Sequence, residues 1–121
     1  MSLCVLAVDD SLTIRTMLGA ALKKAGFEVH TAEDGVDGLE VLSGLTPDVI
    51  ITDINMPNMD GFEFMENVRQ DVDHRTTPIL VLTTESKPEM KARAKSVGAS
   101  GWIVKPFNEE KLVTAIRRVA G

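Results

Sequence analysis

Four short apolar runs stand out along the chain: Leu3-Cys4-Val5-Leu6-Ala7-Val8, Val49-Ile50-Ile51, Ile79-Leu80-Val81-Leu82 and Trp102-Ile103-Val104. Unbroken apolar runs of this length suit strands covered on both faces, the condition of a parallel sheet. A fifth and more polar stretch, Glu28 to Ala32, fits a strand between the first two runs. Between the runs the apolar period changes to that of a helix. Ile14, Met17, Leu18, Ala21 and Leu22 form one inward face; Val36, Leu39 and Leu42 form a second. Phe64, Met65 and Val68 belong to a helix from about Phe62 to Gln70, followed by Met90, Ala94 and Val97, and finally Leu112, Ile116 and Val119. The boundaries carry their own signals. Ser11 or Asp10, Asp34, Ser86 and Asn108 can cap helices, and Gly26, Gly44 and Gly98 can stop them. Pro57 ends the third strand, and Asn58-Met59-Asp60-Gly61 turns the chain into the next helix. Five strands alternating with five helices predict an α/β fold, a doubly wound parallel sheet with right-handed crossovers.

The polar residues fall at informative places. Asp9-Asp10, Asp53, Thr83 and Lys105 each lie just past the end of a predicted strand. In a doubly wound sheet those ends share one edge, so residues far apart in sequence meet in one crevice at the topological switch point. Three carboxylates brought together repel one another, and the arrangement makes sense mainly with a divalent cation. An all-oxygen set without a nearby imidazole or thiol favours Mg²⁺, or Mn²⁺, over zinc. Lys105 then supplies a compact positive charge and Thr83 a hydroxyl donor, both suited to a phosphoryl group. A carboxylate such as Asp53 can act as nucleophile by forming an acyl phosphate. Taken singly the same residues are ordinary: Asp9-Asp10 could cap a helix, and Thr84 reads simply as a strand end. His30 and His74 have no metal-ligand companions nearby in the sequence and are expected to be structural or exposed.

Composition narrows the class. With 121 residues the chain is expected to form one domain, residues 1–121, with no second folded module. Eighteen acidic against thirteen basic residues give a net charge of -5, which argues against general binding to nucleic acid or an anionic membrane. The single cysteine, Cys4, lies in an apolar run and reads as a buried structural thiol. Leu3 to Val8 has no basic leader and is far shorter than a membrane span, so a cytoplasmic location is expected.

The ordered set of Asp9-Asp10, Asp53 with Asn55-Met56-Pro57 and Asp60-Gly61 after it, Thr83, and Lys105-Pro106-Phe107 resembles the receiver domain of bacterial two-component response regulators. The likeness is greatest to the single-domain, CheY-like chemotaxis regulators and covers Leu3 to Val119. It implies a flavodoxin-like strand order 2-1-3-4-5, which comes with the resemblance and not from the residues. It further implies that Asp53 takes a phosphoryl group from a sensor histidine kinase of the CheA kind or from a small donor such as acetyl phosphate. Asp10, Asp53 and the backbone carbonyl of Asn55 would bind Mg²⁺ directly, and Asp9 through water. Lys105 would hold a phosphoryl oxygen, Thr83 would swing inward to bond another, and the Lys105-Pro106 peptide is expected to be cis. Asn55 and Glu85 occupy positions that influence dephosphorylation and the approach of a phosphatase. The chain departs from the usual pattern at Trp102, where receivers carry a rotating Tyr or Phe.

The response is expected on the surface of the fourth helix, last strand and fifth helix, where Lys87, Lys91, Lys95, Trp102 and Lys111 would meet an acidic or amphipathic protein such as a flagellar motor switch. A monomer without DNA binding or membrane insertion is expected. Rival functions are a phosphate sink, a phosphorelay intermediate, a Mg²⁺-dependent phosphatase with an aspartyl-phosphate intermediate, and a passive α/β binding module. The phosphatase would need a general acid where Asn55 stands, and the binding module lacks a Gly-rich phosphate loop after the first strand.

Overall fold

Alternation within each strand decides how the layers form. The computed structural model describes residues 2–121, in which five strands, β1 (Cys4–Val8), β2 (Glu28–Ala32), β3 (Val49–Thr52), β4 (Ile79–Thr83) and β5 (Gly101–Val104), pair in parallel. Their spatial order is β2-β1-β3-β4-β5, as the resemblance implies. The helices are α1 (Leu12–Lys24), α2 (Gly35–Leu42), α3 (Gly61–Gln70), α4 (Pro88–Ser96) and α5 (Glu109–Ala120). Successive side chains of a strand point to opposite faces. Leu6, Val8, Ile50, Ile79 and Val81 therefore pack with Leu42, Phe64, Met65, Val68 and Ala94 on the side of α2, α3 and α4. Val5, Ala7, Val49, Ile51, Leu80 and Leu82 face Leu18, Leu22, Leu112 and Ile116 from α1 and α5. β1, β3 and β4 are covered on both sides, which is why their sequences are continuously apolar; β2, at the sheet edge, is not.

The capping chemistry holds at four of five helices. The side chains of Ser11, Asp34, Asp60 and Asn108 accept from the amides of Ile14, Asp37, Glu63 and Lys111. α4 is the exception. Ser86 does not cap it; Lys87 is the cap residue, without a side-chain bond, and Pro88 starts the helix, its missing N–H being one that helix starts leave unpaired in any case. At the other end Gly98 takes φ +89°, the left-handed conformation that closes a helix. α2 closes one residue before Gly44, on Ser43. Met17 and Val36 do not point inward: each is about half exposed, because the apolar arc written into these helices is wider than the stripe the sheet covers.

Two polar groups serve the scaffold. The Arg69 guanidinium donates to the carbonyls of His74, Arg75, Thr77 and Gly98, tying the loop before β4 to the turn before β5. His74 is structural: it is buried, with Nε2 on the Leu42 carbonyl at 3.3 Å and Nδ1 without a partner. Cys4 is only half-buried. Burial first, then the hydrogen bond to Glu28, pushes its thiol up to about 11, far from a reactive thiolate.

Candidate functional site

Each strand that enters the sheet leaves through its carboxyl end, and the crossovers bring the ends of β1, β3, β4 and β5 side by side. Asp9 follows β1 and Asp53 follows β3, and both are buried, at 1% and 7% exposure. Two carboxylates this deep need positive partners. Lys105, beyond β5, supplies the charge: its Nζ donates to Asp9 Oδ2 at 2.8 Å and to Asp53 Oδ2 at 2.7 Å. Backbone amides hold the remaining oxygens, Ser11 N–H on Asp9 Oδ1 and Ile54 N–H on Asp53 Oδ1. Burial alone pulls the Lys105 ammonium down, but the hydrogen bonds and charges of Asp53 and Asp9 outweigh it, and its pKa is raised overall. The lysine therefore stays charged throughout the neutral range. The Lys105-Pro106 peptide is cis, as expected.

Asp10 is exposed, yet one carboxylate oxygen each from Asp9, Asp10 and Asp53 lies within 4.8 Å of the other two. That all-oxygen cluster fits Mg²⁺ or Mn²⁺, which take carboxylates and complete their shell with water and phosphate oxygens. The wall behind Asp53 is backbone. A Cβ on Gly61 would fall on the Asp53 carbonyl oxygen and within 2.9 Å of Ile54 Cα, so only glycine lets α3 start this close to the acid. Asp34 and Asn58 lock the neighbouring loops together at 2.7 Å, and the Asp34 carboxylate is held below its usual range, first by the Asp37 amide and then by Asn58.

Thr83 is fully buried at the end of β4, its hydroxyl oxygen accepting from the Glu85 amide at 3.3 Å. Glu85 is the residue through which the pocket reaches the surface. Its carboxylate accepts from the Asn55 side chain at 3.1 Å, and its carbonyl accepts from the Trp102 indole at 3.0 Å. Thr83 and Trp102 thus share one residue between them, a link that a backbone carbonyl hides from sequence reasoning. Trp102 also lines a groove of about 240 Å³ between α4 and β5, with Lys91, Lys95 and Ala94. Lys87 and Lys111 lie outside that groove, at the start of α4 and on α5. The sequence reading also missed Arg15, whose guanidinium donates to the Asp9 carbonyl at 2.7 Å.

Comparison with known proteins agrees with this geometry. A family model described as the response regulator receiver domain matches residues 5–117. The chemotaxis response regulator CheY4 of Vibrio cholerae superposes with a TM-score of 0.93 at 51% identity, over 98% of this chain and 99% of that one. A probable chemotaxis protein CheY of Rhizobium etli is 36% identical over 118 residues, 97% of this chain and 92% of the relative. Protein PilG of Pseudomonas aeruginosa is 36% identical over 113 residues, 93% of this chain and 84% of the relative. Among the described residues no helix is long and apolar enough to cross a membrane.

Proposed function

Because the chain belongs to the response regulator receiver family and is CheY-like, we propose that Asp53 carries a transferable phosphoryl group whose arrival changes the α4–β5 surface. The carrying observation is the placement of Asp53: a buried carboxylate with one oxygen on the Ile54 amide and the other beside Lys105 Nζ and the two further acids. An Asp53 oxygen attacks phosphorus of a phosphohistidine or of acetyl phosphate. The bond from phosphorus to the donor nitrogen or oxygen breaks, its electron pair leaves with the donor, and an acyl phosphate results. Water later attacks phosphorus and returns carboxylate and inorganic phosphate. Asp10, Asp53 and the Asn55 carbonyl would hold Mg²⁺, with Asp9 acting through water; the ion supplies neutralising charge for the phosphoryl oxygens. Lys105 holds one phosphoryl oxygen, giving up its contact with Asp53 Oδ2.

The phosphoryl group adds about 1.5 to 2 negative charges at this point. Bonds to it from Thr83 and Lys105 contribute about 1.5–3 kcal/mol each, against the roughly 5.5 kcal/mol that turns a 1:99 equilibrium into 99:1. When Thr83 turns toward the phosphoryl group it releases the Glu85 amide. The loop carrying the Glu85 carbonyl, and with it Trp102, then repacks. The readout is the groove with Lys91, Lys95 and Trp102, to which an acidic or amphipathic protein partner of a chemotaxis or motility system binds; the phosphoryl donor is a sensor histidine kinase.

Incubation with acetyl phosphate and Mg²⁺, followed by intact mass, should show one phosphoryl group on the wild type and none on Asp53→Asn. Trp102 is the sole tryptophan. Its fluorescence should change on phosphorylation of the wild type and stay flat in Thr83→Ala, which still gains the mass. An unmodified wild type, or a full fluorescence response in Thr83→Ala, overturns the corresponding half of the proposal.

A further inference from the structure

At the opposite end of the sheet three donors of different chemistry converge. Cys4 and Glu28 are direct cross-strand partners in the register of β1 and β2, and His30 stands two residues beyond Glu28, on the same face. The Cys4 thiol reaches Glu28 Oε2 at 3.4 Å, and the same oxygen lies 2.7 Å from His30 Nε2. One ligand atom from each residue lies within 4.8 Å of the other two. Sequence reasoning left His30 without companions; the strand register supplies them.

We propose that Cys4, Glu28 and His30 form a binding site for one transition-metal dication of the zinc class, with a fourth position left to water or an exchangeable ligand. Sulfur, imidazole nitrogen and carboxylate oxygen together are the donor set that such ions select, and the donor set that Mg²⁺ does not. The present contacts describe the metal-free form: hydrogens lie where a cation would sit, between sulfur and oxygen and between nitrogen and oxygen, and binding displaces them. Among the described residues no lysine or arginine pairs with Glu28, so no resident cation has to leave. Asp48 adds a second negative charge at the site through its bond to the Cys4 amide at 2.7 Å, without occupying a ligand position. The strand pairing fixes the Cα positions in advance, and the half-exposed rim, where His30 and Glu28 side chains keep 40% and 60% of their exposure, gives an ion entry from solvent. The site shares no residue with the Asp53 pocket and does not depend on phosphorylation.

Cobalt titration of the full chain in excess Mg²⁺ tests it, since Mg²⁺ occupies the all-oxygen cluster and leaves the sulfur site free. The expected result is one Co²⁺ per chain with a thiolate charge-transfer band, displaced by Zn²⁺ and absent from Cys4→Ser. His30→Ala and Glu28→Gln, both on the exposed edge strand, should weaken Co²⁺ binding by at least roughly 10–100-fold, the range already seen for residues that merely support a ligand. A missing thiolate band, a band erased by Mg²⁺, or a band unchanged in both His30→Ala and Glu28→Gln overturns the site.

Discussion

Two hydrogen-bonded pairs of equal length, one of them a lysine–carboxylate ion pair, stand at opposite ends of one sheet. Lys105 Nζ lies 2.7 Å from Asp53 Oδ2 at the carboxyl edge, and His30 Nε2 lies 2.7 Å from Glu28 Oε2 at the amino edge. Their surroundings differ. The side chains of the first pair keep 11% and 9% of their exposure, those of the second 40% and 60%. Attraction between two charges grows roughly fourfold from bulk water to a protein-lined site, and leaving one charge there unpaired carries a desolvation penalty that water does not impose. Distance alone therefore says little about either pair. The carboxyl edge can bury charge because the crossovers deliver partners from 52 and 96 residues away, and because the backbone amides of Ser11 and Ile54 point at the acids. The amino edge has only what two neighbouring strands offer.

The largest test of that contrast is Lys105→Met. It leaves Asp9 and Asp53 buried and facing each other, and should cost about 2 kcal/mol in urea unfolding, less than the roughly 3–5 kcal/mol of a fully enclosed pair because the side chains of Lys105 and Asp53 keep some exposure to solvent. Adding Asp53→Asn neutralises one of the two acids and so removes their mutual repulsion, and the double variant should recover most of the loss. Simple additivity of the two changes would break the comparison, since it would mean that Lys105 and Asp53 do not feel each other.

A smaller effect belongs to Asp34, which supports the same edge from the loop after β2. Asp34→Ala removes the α2 cap and the bond from Asn58 and should cost about 1 kcal/mol at neutral pH. The folded pKa of Asp34 lies below the ordinary 3.8, so its contribution is present above that value and fades as pH falls through the lower, folded one. The gap in stability between wild type and Asp34→Ala should thus be constant from neutral pH down to mildly acidic conditions and close below 3.8. A gap that persisted at lower pH would assign Asp34 a role without its charge.

What could be read from the amino acids, and what could not, follows the same division. Val49-Ile50-Ile51 announces a strand buried on both faces, and an acid at its end can be placed at an edge without coordinates. Lys105 could be set beside Asp53 because both end strands of one parallel sheet. The strand order itself, and the cis peptide, came from the family likeness. Contacts that depend on backbone carbonyls were invisible: Arg69 on four of them, and Trp102 on that of Glu85. Ser86 was misplaced as a cap because Pro88 starts the helix on its own terms. Helical spacing gave the right face for Leu18 and Leu22 but extended it to Met17, since periodicity fixes a direction and the partner layer fixes how wide a stripe is covered. His30 needed the register of β1 on β2, which no spacing within either segment encodes.

The smallest expected effect comes from the amino edge. Cys4→Ser in a chelating buffer removes one weak thiol bond at a half-exposed position and should change urea stability by no more than about 0.5 kcal/mol, the scale of surface substitutions. The same pair of proteins measured with added Zn²⁺ should separate, because an ion bound only by the folded wild type stabilises it in proportion to the logarithm of its concentration over the dissociation constant. The two ends of the sheet would then differ in what holds them before any ion arrives: one keeps its charges in place through burial beside Lys105, the other leaves its donors near water. A loss from Cys4→Ser in chelator as large as that of Lys105→Met would erase the distinction, since it would show the amino-edge cluster to be part of the folded core's own stability.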